Sequence, residues 1–447
     1  MKHSTIAAIA TPQGVGAIAV IRISGGDAFK IADKIFSKRI SEKPSHTAHY
    51  GKILDNNNEV IDHVLLLLMK GPKSYTGEDT VEIYCHGGTI LPKRVLERAI
   101  AGGASLAKAG EFSLRAFMHG KIDLAQAEAV QELIAANSEF ASKVAKEHLE
   151  GSLSSAIREF QKELIDIAAI LEAWVDFPEE GLAFSPFDEI ITTLQGIESR
   201  IQTLLQTYEE GKVIREGLCL CLIGTPNVGK SSLMNALLKK NRAIVSDIPG
   251  TTRDTLEEEL HFLGVTFRLI DTAGIRATCE VVEEEGVRRS KEALQRADIT
   301  LLVLDASRKL SQEDKLLLSQ INKEKSVILW NKIDLAQPTE EIRAPFIIPT
   351  SATKGIGLQA LQDAIYSIIG LKIKPSENCI TSLRHKDALT QALLALQSVI
   401  QGLKNSVSAE FVAADMRFCL EHLGSIIGIN VTEEILSTIF SKFCIGK

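Results

Sequence analysis

The sequence lacks the features of a membrane-spanning, secreted or nucleic-acid-coating protein. Its longest uncharged apolar run, Val64–Met69, is far too short to cross a bilayer, so we predict no membrane association. No C-x-x-C pair occurs, and the seven cysteines are an odd number, which indicates reduced thiols in a cytoplasmic protein. The formal net charge of −7 argues against general coating of nucleic acid, but it does not exclude a local basic patch.

The stretch Leu218–Asp254 is the most informative part of the chain. An apolar run of strand length, Leu218–Ile223, leads into the turn Gly224-x-x-x-x-Gly229-Lys230-Ser231, and a helical pattern follows. Glycines allow backbone N–H groups to surround phosphate oxygens, and the helix N-terminus adds positive potential there. We expect Lys230 to reach the β- and γ-phosphates and Ser231 to bind magnesium. The stretch therefore predicts a P-loop.

Four further motifs follow the P-loop. The loop Gly250-Thr251-Thr252 is a candidate switch I, in which a threonine hydroxyl would complete the magnesium shell. In Asp271–Gly274 the aspartate would lie at the metal and the last N–H at the γ-phosphate. Asn331–Asp334 carries the choice of base, because a carboxylate accepts from guanine N–H groups that adenine lacks. Ser351-Ala352 supplies the backbone contact to the guanine carbonyl. The order of these motifs along the chain predicts a GTP-binding, doubly wound α/β domain.

One position departs from the pattern of Ras-type enzymes. Ile275 stands where those enzymes have a glutamine that orients the attacking water, and isoleucine cannot do this. A monovalent cation held by the side-chain oxygen of Asn227 could supply positive charge beside the phosphates. The acidic run Glu283–Glu285 could position the water, or it could be the acidic first turn of a helix, and the spacing leaves both open.

The remaining chain predicts two more kinds of domain. Residues 1–118 alternate strand-like and helical patterns, which indicates an α+β N-terminal domain. Residues 119–216 and 372–447 carry helical spacing and predict one discontinuous α-helical bundle domain. Residues 217–371 form the GTP-binding domain, inserted between the two helical parts. The fold class is thus α+β, α-helical and an inserted α/β Ras-like G domain (P-loop NTPase).

Charged residues inside the N-terminal strands have two interpretations. Arg22 and Glu82 would face water if their strands lay at a sheet edge, or would line a ligand pocket as a base and an acid. His86, before two glycines, could be a ligand or a base, but a lone histidine is more often structural. Lys121 at the domain joint is expected on the surface. Cys444 near the terminus is interpreted as a small hydrophobe packed against apolar residues.

The motifs together resemble a known family. RISGG, SYTGEDTVEIYCHGG, GEFSLRAFMHGKIDLAQAEAV and the final FCIGK, combined with GTPNVGKSS and SDIPGTTRD, are similar to the MnmE (TrmE) family of tRNA-modification GTPases, within the TrmE-Era-EngA-like group. The resemblance covers essentially the whole chain. It implies formyl-tetrahydrofolate binding and homodimerisation by the N-terminal domain, and potassium-activated GTP hydrolysis. It also implies a heterotetramer with the flavoprotein MnmG, which modifies carbon five of the wobble uridine in tRNA.

The resemblance also implies residue roles. Folate contacts fall on Arg22, Glu82, Lys121 and Lys447, which suits the chemistry because a carboxylate can pair with the pterin and cations with the glutamate tail. Potassium falls on Asn227, Ser246, Ile248 and Thr251, and magnesium on Ser231 and Thr252. Glu283 matches the water-positioning glutamate, and Cys444 matches a functional thiol. We therefore predict Glu283, Lys230 and Cys444 as catalytic. The predicted nucleotide and ion contacts are Asn227, Val228, Gly229, Lys230, Ser231, Ser232, Ser246, Asp247, Ile248, Pro249, Gly250, Thr251, Thr252, Asp271, Thr272, Ala273, Gly274, Asn331, Lys332, Asp334, Ser351 and Ala352.

The sequence thus supports a potassium-dependent GTPase whose hydrolysis drives a tRNA-modifying complex that adds an aminomethyl or carboxymethylaminomethyl group. The alternative is a GTP-gated RNA-binding or ribosome-assembly switch that carries out no modification chemistry.

Overall fold

A computed structural model describes residues 4–12, 14–176, 187–241, 258–262, 264–271, 297–369 and 378–446. These residues form two compact units, which together contain the predicted α+β, α-helical and α/β arrangements. The first unit consists of residues 1–131, 148–199 and 387–447, and the second of residues 132–147 and 200–386. The predicted domain boundaries stay a prediction.

The first unit contains a six-stranded, mostly antiparallel sheet. Its strands are β1 (Ile6–Ile9), β2 (Ile18–Ser24), β3 (Thr47–Leu54), β4 (Val60–Met69), β5 (Thr80–His86) and β6 (Ser105–Leu106). The spatial order is β3-β4-β5-β2-β1-β6, so β2 and β5 are central. Alternate residues of the strands, such as Ile21, Ile83 and Leu66, are buried against α1 (Ala28–Ile35) and α2 (Leu91–Ala101).

Helices make up the rest of the first unit. They begin with α3 (Glu111–Met118), α4 (Leu124–Ala135), α5 (Glu139–Leu149), α6 (Ser152–Asp176) and α7 (Phe187–Gln206). Helices α4 and α7 continue into the second unit, whereas α5 lies mostly in the second unit and ends in the first. Two long helices, α6 and the later helix 409–427, pack against each other although they lie far apart in sequence. One of their contacts joins Gln161 Nε2 to the Leu420 carbonyl oxygen at 3.4 Å.

The second unit contains a six-stranded sheet with five parallel strands. Its elements are α8 (Tyr208–Glu216), β7 (Leu218–Ile223), α9 (Lys230–Asn241), β8 (Glu258–Phe262), β9 (Val265–Asp271), β10 (Ile299–Asp305), α10 (Gln312–Gln320), β11 (Ser326–Asn331), β12 (Ile347–Pro349) and α11 (Leu358–Ile369). The spatial order is β12-β11-β10-β7-β9-β8, and only β8 is antiparallel to its neighbour. Chain order reverses at β7, which is the switch point where doubly wound sheets bind ligands. The predicted fold class is confirmed.

Three helices follow the second sheet: α12 (Leu383–Lys404), which begins in the second unit, α13 (Ala409–Ile427) and α14 (Glu433–Phe440). Thr432 caps α14, as its hydroxyl accepts from the Ile435 N–H. Among the described residues, no helix has the length and apolar character that a membrane span requires.

Candidate functional site

The P-loop lies between β7 and α9, as predicted. Gly229 has φ +98°, and a Cβ at this position would overlap the Asn331 side-chain amide, so only glycine fits. Asn227 is exposed and has φ +65°, a left-handed conformation that asparagine tolerates better than most residues. Ser231 and Ser232, in the first turn of α9, are also exposed, whereas Val228 is buried in the sheet core.

Lys230 is mostly buried and points back over the loop. Its Nζ donates to the carbonyl oxygens of Gly224 at 2.7 Å and Thr225 at 2.9 Å. The loop carbonyls therefore hold the ammonium group at the N-terminus of α9, where positive potential favours phosphate.

Asn331 connects the phosphate side of the site with the base side. Its Nδ2 donates to the Val228 carbonyl oxygen at 2.8 Å, and its Oδ1 accepts from the Ala352 N–H at 3.0 Å. The side chain is almost completely buried, so both polar atoms depend on these partners. The P-loop and two motifs that lie 103 or more residues after it are thereby fixed in one arrangement.

Ion pairs and hydrogen bonds hold the other residues on the base side of the site. Lys332, with φ +66°, places Nζ 2.6 Å from Asp305 Oδ2. Burial raises the pKa of Asp305, but hydrogen bonds from Lys332 and Ser307 outweigh this effect and leave the pKa below its usual value. A hydrogen bond from Ser351 lowers the pKa of Asp334, so its carboxylate is charged and able to accept from guanine.

A cleft of about 560 Å³ adjoins these residues. Ser232 and Asn235 of α9 line one side, and Ala352 and Lys354 of the loop after β12 line the other. Ser232 on the phosphate side and Ala352 on the base side are both predicted nucleotide contacts, so the cleft joins the two sides of the site.

Many of the predicted contacts lie outside the described residues. They are Ser246, Asp247, Ile248, Pro249, Gly250, Thr251, Thr252, Thr272, Ala273, Gly274, Glu283 and Lys447. The backbone of Asp271 ends β9 beside Leu222 of β7, at the end of the sheet where the P-loop begins.

Arg22 and Glu82 form an ion pair on the central strands of the first sheet. The Arg22 Nε lies 2.8 Å from Glu82 Oε1, and the two side chains are 16% and 12% exposed. The interpretation that they face water at a sheet edge is therefore wrong, because strand pairing places β2 beside β5 in the middle. Glu82 Oε2 also accepts from the Tyr84 hydroxyl at 2.9 Å.

Aromatic rings and the C-terminal segment complete the surroundings of Arg22. Its guanidinium carbon lies 5.7 Å from the ring centre of Tyr75 and 5.6 Å from that of Phe112. Its Nη1 donates to the Gly446 carbonyl oxygen at 3.3 Å. Gly446 has φ +95°, and a Cβ here would overlap the Ile9 carbonyl oxygen, so glycine permits the close approach.

Cys444 reaches the same region through its backbone. Its carbonyl oxygen accepts from the Gly110 N–H at 3.4 Å, and Ile445 bridges to Ala109. The thiol is exposed, so the interpretation of Cys444 as a packed small hydrophobe is wrong. The apolar packing at this end of the chain comes instead from the rings of Phe440 and Phe443.

Lys121 and His86 occupy different surroundings. Lys121 is exposed and its Nζ donates to the Pro72 carbonyl oxygen at 3.1 Å, in the loop that also carries Tyr75. His86 is 68% exposed, and its Nδ1 lies 2.8 Å from Asp62 Oδ1. The His86 N–H also donates to Asp62 Oδ2, so the buried carboxylate anchors the end of β5.

Several residues of these sites were not predicted from the sequence. Tyr75 and Phe112 carry no local signal of their proximity to Arg22, because only the folded sheet brings them together. Asp314, which contacts the P-loop, belongs to the pattern Ser311-x-x-Asp314, a helix N-terminus signature that was readable from sequence.

Comparisons with known proteins agree across the chain. A family model described as the GTP-binding protein TrmE N-terminus matches residues 5–121, and one described as the MnmE helical domain matches residues 124–444. A relative from Protochlamydia amoebophila, named tRNA modification GTPase MnmE, is 54% identical and covers 99% of this chain and 97% of the relative. Relatives of the same name from Clostridioides difficile (45% identical, 99% of each chain) and Thermoanaerobacter pseudethanolicus (43%, 100% of each) are also similar.

Proposed function

Because the chain belongs to the MnmE (TrmE) family of tRNA modification GTPases, it hydrolyses GTP in tRNA modification, and we propose that potassium, magnesium, folate and MnmG take part. The chain would form a homodimer and, with MnmG, a heterotetramer. This complex would add an aminomethyl or carboxymethylaminomethyl group to carbon five of the wobble uridine, using a formyl-tetrahydrofolate carbon. The observation that best supports GTP binding and hydrolysis is the pair of hydrogen bonds by which the Asn331 side chain links the P-loop to Ala352.

Potassium binding is supported by the conformation of the P-loop. Asn227 is exposed at a left-handed position of the loop, and its side-chain oxygen is the hard donor type that alkali-metal ions prefer. Ser231 offers a hydroxyl for magnesium in the first turn of α9. The potassium ion would supply positive charge at the phosphates, where preorganised charge contributes most to catalysis.

Exchanging potassium for sodium is expected to slow GTP hydrolysis by the full chain at least tenfold, about 1.4 kcal/mol of barrier. The reason is that a site of fixed oxygens distinguishes the two ions by size and coordination. Phosphate release should be measured at saturating GTP and magnesium, with choline chloride keeping ionic strength constant. Asn227→Ala should be slow in both salts. Equal wild-type rates in potassium and sodium would exclude the cation mechanism.

Folate binding is supported by the chemistry around Arg22. A carboxylate beside a guanidinium offers an acceptor for pterin N–H groups and a cation for a glutamate tail. The rings of Tyr75 and Phe112 add an apolar wall of the kind that flat ligands contact. Lys121 and Lys447 would contribute further positive charge, as the family resemblance implies.

Homodimerisation is supported by the first sheet. Its α1 and α2 side is buried, whereas Ile18, Tyr50 and Leu65 on the other side are exposed. Tyr50, Leu65 and Tyr84 are paired across β3, β4 and β5, so they form a continuous row. An apolar row of this kind is typical of a surface that a protein partner covers.

Nucleoside analysis of tRNA tests the modification itself. Cells lacking this chain are expected to lose the modified wobble uridine and to regain it when the wild-type chain is supplied. The Cys444→Ser chain should hydrolyse GTP normally without restoring the nucleoside, because the exposed thiol serves modification rather than hydrolysis. Cys219→Ser is the matched control and should restore it. An unchanged tRNA profile in cells without the chain would instead favour the GTP-gated switch.

A further inference from the structure

The second residue of the P-loop is tied to a helix outside the predicted nucleotide motifs. Thr225 is 6% exposed, and its hydroxyl donates to Asp314 Oδ1 at 2.8 Å. The Thr225 hydroxyl oxygen also accepts from Arg308 Nη2 at 2.7 Å. Arg308 in turn places Nη1 2.8 Å from Asp314 Oδ2, which closes a three-residue network.

Asp314 divides its two carboxylate oxygens between two tasks. Oδ2 accepts from the Ser311 N–H and hydroxyl, both at 2.9 Å, and so completes the capping box of α10. Oδ1 goes to Thr225 and is not needed for the cap. Burial raises the pKa of Asp314, but hydrogen bonds from Ser311, Thr225 and Arg308 outweigh it and keep the pKa low. The carboxylate is therefore a buried charge that depends on the P-loop residue.

The network continues to the lysine of the P-loop. The Thr225 carbonyl oxygen accepts from Lys230 Nζ at 2.9 Å, so one residue is held by Asp314 through its side chain and holds Lys230 through its backbone. A shift of the Thr225 peptide would move the acceptor of the ammonium group that the β- and γ-phosphates require.

We propose that Asp314 and Arg308 are positioning residues for GTP binding: they fix Thr225, and thereby the site in which Lys230 meets the β- and γ-phosphates. Neither residue is assigned a contact with the nucleotide. The proposal rests on GTP binding at the P-loop, and it assigns to α10 the support of the phosphate site.

Thr225→Val removes only the hydroxyl and leaves the cap of α10 intact. We expect the dissociation constants of the full chain for GTP and GDP to rise at least roughly fivefold, which is the effect of losing one ordinary hydrogen bond. Affinity for GMP should not change, because GMP has no β-phosphate for Lys230. Thr225→Ser should restore wild-type binding, and Arg308→Ala should weaken GTP and GDP binding in the same selective way.

Fluorescent-nucleotide titrations measure these affinities, and Glu313→Gln, an exposed neighbour of Asp314, is the matched control. Equal losses for GTP, GDP and GMP would mean that the network only stabilises the fold and would overturn the proposal. So would a Thr225→Val chain that binds GTP like the wild type. If the wild-type chain bound no GTP, the proposed function would fail and not the network.

Discussion

Asp334→Asn is expected to reverse the base preference of the nucleotide site. We predict that the carboxylate accepts from guanine N–H groups, whereas the asparagine amide would place a donor against a donor. A hydrogen-bonding site rejects a mismatched partner strongly, so GTP affinity should fall by about two to four orders of magnitude. XTP should become the better ligand, because its second carbonyl oxygen accepts from the new amide.

Competition titrations with GTP, XTP and ATP check this result. Glu341→Gln supplies a control in which an exposed carboxylate of the same loop region is neutralised, and it should leave GTP affinity unchanged. If Asp334→Asn kept its preference for GTP, the guanine contact would lie elsewhere and the base-side assignment would fail.

Arg22→Ala is expected to affect both stability and folate binding. Removing one partner of a partly buried ion pair leaves Glu82 without its cation, which costs about 1–3 kcal/mol of unfolding free energy. The substitution also removes the hydrogen bond to the Gly446 carbonyl oxygen, so the C-terminal segment loses a contact beside Cys444. Affinity for 5-formyl-tetrahydrofolate should fall at least a hundredfold, as expected for losing a charge-assisted contact of about 3 kcal/mol.

Thermal unfolding and folate titration of the full chain measure the two effects separately. The matched control is Arg417→Ala, which breaks the exposed pair with Glu172 and should change neither quantity appreciably. Arg22→Lys keeps the charge but loses the guanidinium geometry, so it should recover stability more than folate affinity. A stable Arg22→Ala chain that binds folate like the wild type would remove Arg22 from the folate site.

The sequence by itself determined the GTP-binding domain, because each of its motifs is local. A glycine-rich turn between a strand and a helix fixes the P-loop with few neighbours, and β7 begins and ends where its apolar run does. The periodicity also located most helices and strands within a few residues. Strand β3 and the helices α3, α10 and α11 gave weaker local patterns and were not predicted.

Only the tertiary structure decided the surroundings of Arg22, Cys444 and Thr225. Whether Arg22 faces water or a partner depends on strand order, and pairing of β2 with β5 brings Arg22 to Glu82, 60 positions later in the chain. The C-terminal segment reaches Arg22 from 424 residues away, and Asp314 reaches Thr225 from 89. Such contacts depend on how whole elements pack, and a local residue pattern carries no record of that packing.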